Sequence, residues 1–223
     1  MITVNLNDSN RTDVSFLEEF YPHEYITFKV NVPMEAREQG WLGEHYKFLN
    51  YMANLYEDAV ILEGGTAHGM SCLALANSPN TVITYETNGG WSVQRWVRGV
   101  APGVNYNSMW KPGETSETGV GKYANTTFKL QDINTETDEN ILKADMIFLD
   151  VDPHDGIQET VFFERLREMN YKGVVIADDI HLFEGMKNWW NAITEKKWDV
   201  TQYGHHSGTG IVDFGDNIKE VVM

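Results

Sequence analysis

Three aspartates at the ends of two mostly apolar runs carry the most direct chemical signal in the sequence. Asp150 follows the run 145–149, and Asp178 and Asp179 follow the run 173–177. If these runs are neighbouring strands, the three carboxylates crowd together and repel one another unless at least one is protonated. A divalent cation such as Mg²⁺ relieves the repulsion because it takes oxygen ligands. The aspartates could instead cap the following helices, but their number exceeds the caps required, so the sequence favours a metal site.

Two histidines follow these aspartates and could act as a general base. His154 comes four residues after Asp150, and His181 comes two residues after Asp179. Imidazole changes its charge near neutral pH and is the side chain most often used for proton transfer. A lone histidine is more often a packed or surface residue, so both candidates depend on sharing the rim of the proposed site.

A glycine-rich turn indicates a second kind of chemistry, the binding of a ligand that contains adenosine. Residues 60–76 read VILEGGTAHGMSCLALA, an apolar run that ends at Glu63 and is followed by Gly65, Gly69 and a helical segment. The start of such a helix presents backbone N–H groups to a ligand. Glu86 ends the next apolar run, 23 residues after Glu63, where a carboxylate can accept hydrogen bonds from a ribose.

The spacing of the two glycines narrows the choice of ligand. They lie four residues apart, whereas the dinucleotide fingerprint G-x-G-x-x-G brings the backbone closer to a pyrophosphate. The acid at Glu63 also suits a cationic amine better than a phosphate. The glycines could instead serve only to make a tight turn between strand and helix, and the turn alone leaves that alternative open.

Strands and helices alternate along the chain and predict the framework that positions these residues. Apolar patterns predict strands at 59–62, 81–85, 126–130, 145–149, 173–177, 198–203 and 209–214, and helices at 41–56, 91–100, 158–169 and 185–194. Helical connections imply parallel neighbours, whereas the closing pair of strands is too close for a crossover, so one strand runs antiparallel. The prediction is an α/β fold with a doubly wound, mostly parallel, seven-stranded Rossmann-like sheet, an antiparallel C-terminal strand and helices on both faces.

Ligands of such sheets bind at the carboxyl ends of the strands, where the strand order reverses. Five predicted strands end there on polar side chains: Glu63, Glu86, Gln131 with Asp132, Asp150, and Asp178 with Asp179. This convergence is the strongest functional signal in the sequence.

The remaining segments are harder to interpret. Residues 1–40 are predicted to be an N-terminal extension that could cover the substrate, with a short helix at 15–21 and a strand at 25–32, and the main domain is predicted to span 41–223. The stretch 103–122 is rich in Gly, Asn, Ser and Thr and predicts a long loop, a kind of segment that is usually functional or mobile.

Charge and composition exclude several classes of partner. The chain has 33 acidic residues against 17 Lys and Arg, a formal net charge of −16. Binding to nucleic acid or to anionic lipid depends on Lys and Arg, so neither partner is expected. The single cysteine, Cys72, cannot form an internal disulfide, and neither a signal peptide nor an apolar run of about 20 residues is apparent. A cytoplasmic protein is expected, and the sequence leaves open whether it forms a homo-oligomer.

Taken together, these motifs resemble the class I S-adenosylmethionine-dependent methyltransferases, over roughly residues 41–214. The stretch ILEGGTAHGMS has the family's spacing Glu-x-Gly-x-x-x-Gly-x-Ser, and YETN, LQD, DMIFLD and VIADDI follow in the family's order. Within the family, the pattern is similar to metal-dependent O-methyltransferases such as the catechol and caffeoyl-CoA enzymes. The resemblance implies contacts with S-adenosylmethionine from Glu63, Gly65, Thr66, Gly69, Ser71, Glu86, Gln131, Asp132 and Asp150. It also implies that Mg²⁺ or another divalent cation is bound by Asp150, Asp178 and Asp179.

One departure from the pattern affects the acceptor. Where the catechol enzymes carry a lysine base, three residues after the first metal aspartate, this sequence has Pro153, followed by His154. The pattern therefore looks more like the sugar-modifying and natural-product branches, in which a histidine can take the base role. The resemblance implies methyl transfer to a hydroxyl of a small molecule or sugar, with His154 or His181 removing the proton.

Three other interpretations remain. Asp150-Val-Asp152 is an Asp-x-Asp pattern, which in nucleotide-sugar glycosyltransferases holds a metal against a diphosphate. An NAD-dependent dehydrogenase is disfavoured by the glycine spacing. A scaffold that binds a cofactor without catalysis needs none of the acids at the strand ends, so their presence argues against it.

Overall fold

The computed structural model describes residues 1–19, 43–67, 69–87, 116–118 and 123–223. The predicted strand at 25–32, the predicted helix at 91–100 and most of the predicted loop at 103–122 lie outside the described residues. No helix in the described ranges is long and apolar enough to cross a membrane.

Two sheets are formed by the described residues. The strands in chain order are β1 (Ile2–Asn5), β2 (Val60–Gly64), β3 (Thr81–Glu86), β4 (Ser116–Thr118), β5 (Thr126–Leu130), β6 (Met146–Leu149), β7 (Val174–Asp178), β8 (Lys196–Asp199), β9 (Thr209–Asp213) and β10 (Ile218–Val222). The large sheet has eight strands in the order β4-β5-β3-β2-β6-β7-β9-β8, and β1 pairs with β10 in a separate two-stranded sheet.

The large sheet confirms the predicted architecture. Strands β5, β3, β2, β6 and β7 are parallel to one another, while β9 runs antiparallel to both β7 and β8. The order reverses at β2, which lies between β3 and β6, and this is where a doubly wound sheet opens a crevice for a ligand.

Two details of the predicted sheet differ in the structure. Strand β8 ends at Asp199, and a 3₁₀ turn at Thr201–Tyr203 takes the place of the last residues of the strand predicted at 198–203. Strand β4, within the predicted loop, adds an eighth strand that pairs antiparallel with β5. Three residues are too few to show the alternation that identifies a strand in a sequence.

Helices cover both faces of the large sheet, as predicted. They are α1 (Leu6–Ser9), α2 (Tyr46–Ala53), α3 (Met70–Ala76), α4 (Asp138–Leu142), α5 (Ile157–Glu168) and α6 (Glu184–Ala192). One apolar core combines α2 and α3 with side chains such as Ile61 and Phe148, and a second core combines α5 and α6 with side chains such as Leu62 and Val175. Neighbouring strand residues belong to different cores because successive side chains point to opposite faces.

The first 19 residues pack against the rest of the chain. Strand β1 runs parallel to β10, and Val4, Leu6 and Leu17 are fully buried in the core that also contains α2 and α3. A 3₁₀ helix at Ser15–Glu19 occupies most of the short helix predicted at 15–21. This part of the predicted extension therefore contributes to the hydrophobic core.

Candidate functional site

A cavity of about 440 Å³ opens at the carboxyl ends of the central strands. Most of the residues predicted from the sequence line it, namely Gly65, Thr66, Gly69, Ser71, Glu86, Gln131, Asp132, Asp150, His154, Asp178 and Asp179. Two predicted residues, Glu63 and His181, are not among its lining residues. The fold thus gathers the strand ends around one space, as the parallel topology requires.

The glycine turn between β2 and α3 is held in place by close backbone approach and by hydrogen bonds. Gly65 has φ +94°, and a Cβ there would lie 1.6 Å from the carbonyl oxygen of Asp150, so no other residue fits. The Thr66 hydroxyl donates to the carbonyl of Tyr85 at 3.1 Å. The N–H of Ala67 donates to Glu86 Oε2 at 2.9 Å. The turn is therefore fixed to the end of β3.

Glu63 lies beneath this turn rather than on the cavity wall. It is fully buried, and neither carboxylate oxygen has a hydrogen-bond partner of good geometry among the described residues. Burial raises its pKa from 4.5 to about 7, although the nearby side chains of Ser71, Thr84 and Cys72 partly oppose the rise. Glu63 is therefore about half protonated at neutral pH.

The segment after β5 also lines the cavity. Asp132 Oδ1 accepts the backbone N–H of Asn134 at 2.8 Å and caps a 3₁₀ turn at Ile133–Thr135. Arg165 of α5 holds this segment by donating to the carbonyls of Asn134, at 2.9 Å, and Glu136. Gln131 and Asp132 consequently face the cavity from a wall attached to α5.

Asp178, at the end of β7, lies between two histidines. Its Oδ2 is 3.2 Å from His205 Nδ1 and 3.3 Å from His45 Nδ1, and its Oδ1 accepts the Thr209 hydroxyl at 3.3 Å. Burial by itself would raise the pKa of Asp178, but His45 and His205 outweigh that effect and hold it below its ordinary value. This carboxylate is therefore ionised inside the protein.

His205 is a partly buried cation linked to carboxylates on both sides. Its Nε2 lies 3.0 Å from Glu44 Oε2, while its Nδ1 faces Asp178 and lies 3.3 Å from Asp179 Oδ1. Burial favours the neutral ring, but the hydrogen bonds to Asp178 and Asp179 dominate and raise its pKa to about 10. Its positive charge offsets part of the charge of the aspartates.

His154 lies between Asp150 and Asp179, on the cavity side. Its Nε2 is 3.8 Å from Asp150 Oδ1 and 3.4 Å from Asp152 Oδ1, and its Nδ1 is 3.4 Å from Asp179 Oδ2. Burial, together with the neighbouring carboxylates of Asp178 and Asp179, raises the pKa of Asp150. The predicted crowding of the three aspartates is thus present, with histidines interspersed among them.

His181 lies outside this group. Its Nε2 is 2.7 Å from Asp199 Oδ2, and its ring is partly exposed on the side of β8. The backbone turns away from the cavity after Asp179, which has φ +57°. Of the two histidines predicted as a base, the structure brings only His154 to the cavity.

Sequence reasoning missed three site residues: Glu44, His45 and His205. Four mixed groups in the described residues each bring one ligand atom per residue within 4.8 Å of one another: Glu44, His45 and His205; His45, Asp150 and Asp178; Asp150, His154 and Asp179; and Asp178, Asp179 and His205. His205 lies between the strands predicted at 198–203 and 209–214 and was not assigned to the site. The pair Glu44-His45, directly before α2, is far from the aspartates in sequence and gave no local signal.

Solved methyltransferase structures are similar to this fold. No family model and no curated protein matches the chain. A solved methyltransferase from Geobacter sulfurreducens matches at 13% identity with a TM-score of 0.50, covering 89% of this chain and 93% of that one. The methyltransferase PaMTH1 of Podospora anserina, solved with S-adenosylhomocysteine bound, matches at 12% identity with a TM-score of 0.52, covering 95% and 88%. The chain has a class I methyltransferase fold.

A third solved structure, an S-adenosylmethionine-dependent O-methyltransferase of Thermotoga maritima, matches at 18% identity with a TM-score of 0.45 over 69% of this chain. This chain spans about half, 52%, of the length of that protein. The matches with TM-scores of 0.50 and 0.52 confirm the expected methyltransferase-like sheet.

Proposed function

We propose that this protein transfers a methyl group from S-adenosylmethionine to a hydroxyl oxygen of a small-molecule or sugar acceptor, with the help of a divalent cation. The observation that carries the proposal is a cavity at the switch point of the sheet, lined both by the glycine turn and by a group of carboxylates and histidines. Such a cavity can hold a donor and an acceptor side by side.

The cavity fits the proposed donor in size and chemistry. Its volume of about 440 Å³ falls within the range of small-molecule sites, about 300 to 1,000 Å³. Gly65 and Gly69 add no side chains to the turn, Glu86 lies at the ribose position implied by the family motif, and Asp132 also lines the cavity. The S-adenosylhomocysteine bound to the Podospora anserina protein, which shares this fold, supports the same choice of donor.

The cluster of aspartates is suited to binding a divalent cation. Asp150, Asp178 and Asp179 come together with histidines at ligand spacing, and burial with mutual repulsion raises the pKa of Asp150, so a cation among these carboxylates would be favoured. A bound divalent cation lowers the pKa of a hydroxyl that it coordinates and stabilises the resulting oxyanion. The aspartates would hold it at the cavity end of β6 and β7.

The chain's own residues then have two tasks. The glycine turn, Glu86 and Asp132 orient the donor, because methyl transfer to oxygen depends mainly on the alignment of the two reactants. His154, at the rim of the cavity and 3.4 Å from Asp179, is positioned to accept the proton of the acceptor hydroxyl. Asp179 would hold the imidazole in orientation.

The proposal is tested by ligand binding together with activity. We expect isothermal titration calorimetry to show binding of S-adenosylhomocysteine but not of NADH or UDP-glucose. We expect transfer of radiolabelled methyl groups to members of a panel of phenolic and sugar hydroxyl compounds. Asp179→Asn should lose about 100-fold or more of that activity and still bind S-adenosylhomocysteine. The exposed Asp58→Asn is the matched control. Binding of UDP-glucose in place of S-adenosylhomocysteine would refute the proposal.

A further inference from the structure

His45 occupies a fixed position directly beneath the group of aspartates. It precedes α2, its side chain is 4% exposed, and its ring packs 4.9 Å from the ring of Phe148 on β6. This packing fixes the direction of the imidazole. The ring nitrogen Nδ1 faces Asp178, at the end of the neighbouring strand β7.

The Nδ1 atom of His45 is a buried polar atom without a hydrogen-bond partner among the described residues. It lies 3.3 Å from Asp178 Oδ2, and this contact lowers the pKa of that carboxyl. Buried polar atoms are nearly always paired, because an unpaired one loses its hydrogen bonds to water and gains none in return. Asp178 has further partners, because it is hydrogen-bonded to His205 and Thr209. A cation held between Nδ1 and the neighbouring carboxylates would complete the surroundings of this nitrogen.

We propose that His45 Nδ1 is a ligand of the divalent cation, together with one carboxylate oxygen each from Asp150 and Asp178. One ligand atom from each of these three residues lies within 4.8 Å of the others. Bonds of about 2.1 Å place adjacent ligands about 3 Å apart and opposite ligands about 4.2 Å apart. A single ion therefore spans the set after a small contraction. Asp150 is 26% exposed to the cavity, so water or an acceptor oxygen can complete the coordination.

A histidine ligand changes which metal the site prefers. Mg²⁺ is bound almost entirely through oxygen, whereas imidazole favours later divalent ions such as Fe²⁺, Co²⁺ and Zn²⁺, and Mn²⁺ accepts both. Two carboxylates and one imidazole thus favour Mn²⁺, Fe²⁺ or Co²⁺ over Mg²⁺. The inference rests on the proposed function only for the use of the cation in catalysis, because metal binding is measured without donor or acceptor.

The test combines metal affinity with a spectroscopic signature of nitrogen ligation. Protein freed of metal with a chelator is titrated with Mn²⁺ and Mg²⁺ by calorimetry, and the Mn²⁺ complex is examined by electron spin-echo envelope modulation. We expect a ¹⁴N modulation in the wild type and Mn²⁺ binding at least tenfold tighter than Mg²⁺ binding. His45→Phe keeps an aromatic ring against Phe148. It should lose the ¹⁴N modulation and bind Mn²⁺ about 100-fold more weakly, because loss of a metal ligand lowers affinity at least as much as loss of a residue that only supports a ligand.

Two further variants make the result specific. His154→Gln should retain the nitrogen modulation, because His154 is not one of the proposed ligands. His45→Asn repeats the test if the phenylalanine variant melts at a much lower temperature. Modulation that survives both His45 changes but disappears in His154→Gln or His205→Gln would assign the ion to another group and overturn the proposal. A wild type that binds no Mn²⁺, or binds it without nitrogen modulation, would also overturn it. Failure of the proposed function would appear separately, as absence of S-adenosylhomocysteine binding.

Discussion

The buried carboxyl of Glu63 makes stability depend on pH in a way that one substitution can isolate. Its pKa of about 7 exceeds the ordinary 4.5 by about 2.5 pH units, which corresponds to about 3 kcal/mol at about 1.4 kcal/mol per pH unit. A carboxyl whose pKa is raised in the folded state binds more protons when folded than when unfolded. Stability is therefore lost as the pH rises from 4.5 through 7, and the full cost is present above 7.

Glu63→Gln removes this titratable carboxyl and nearly preserves the shape of the side chain. The free energy of unfolding, measured in urea, should change with pH differently in the two proteins. The variant minus wild-type difference should increase by about 2 kcal/mol between pH 5.5 and pH 8, which is the part of the about 3 kcal/mol that develops over this pH range. Starting at pH 5.5 avoids precipitation near the sequence pI of about 4.7. The exposed Glu168→Gln should show a constant difference from the wild type. A constant difference for Glu63→Gln as well would show that the buried carboxyl is not the cause.

Two more substitutions test the site. Gly65→Ala should lower the free energy of unfolding in urea by about 3 kcal/mol or more, because its Cβ would lie 1.6 Å from the carbonyl oxygen of Asp150 at φ +94°; unchanged stability would mean that the turn is not constrained as described. The pKa of His205 is raised to about 10, so its stabilising charge is fully present below pH 6.5 and is lost as the pH rises through 10. The stability advantage of the wild type over His205→Gln should accordingly shrink between pH 7 and 10, and an advantage that grows over this range would contradict the ion pair with Asp178.

The central strands and their polar ends could be predicted from the sequence because buried parallel strands are continuous apolar runs. Strands β2, β3, β5, β6 and β7 were each located within one residue at most boundaries, and their last residues indicated the cavity. Strands β1, β4 and β10 were not predicted, because they are short and lie at edges, where apolar alternation is weak.

The positions of individual side chains were predicted less well. Glu63 was assigned to the ligand, but alternation along β2 places it on the face of Ile61, which packs with α3. His45 is brought to Asp178 only by tertiary packing on Phe148, which no local pattern records. His181 is close to Asp179 in sequence, but the turn after β7 directs it toward Asp199.

The pairing of β1 with β10 has a consequence for the order of folding. The contact from Thr3 to Glu220 joins residues 217 positions apart. Closing a flexible loop of that length costs about 5 kcal/mol of chain entropy, so the contact gains little until the intervening sheet has formed. We therefore expect the edge of the core that contains Val4 and Leu6 to close late during folding, after the strands that line the cavity have assembled.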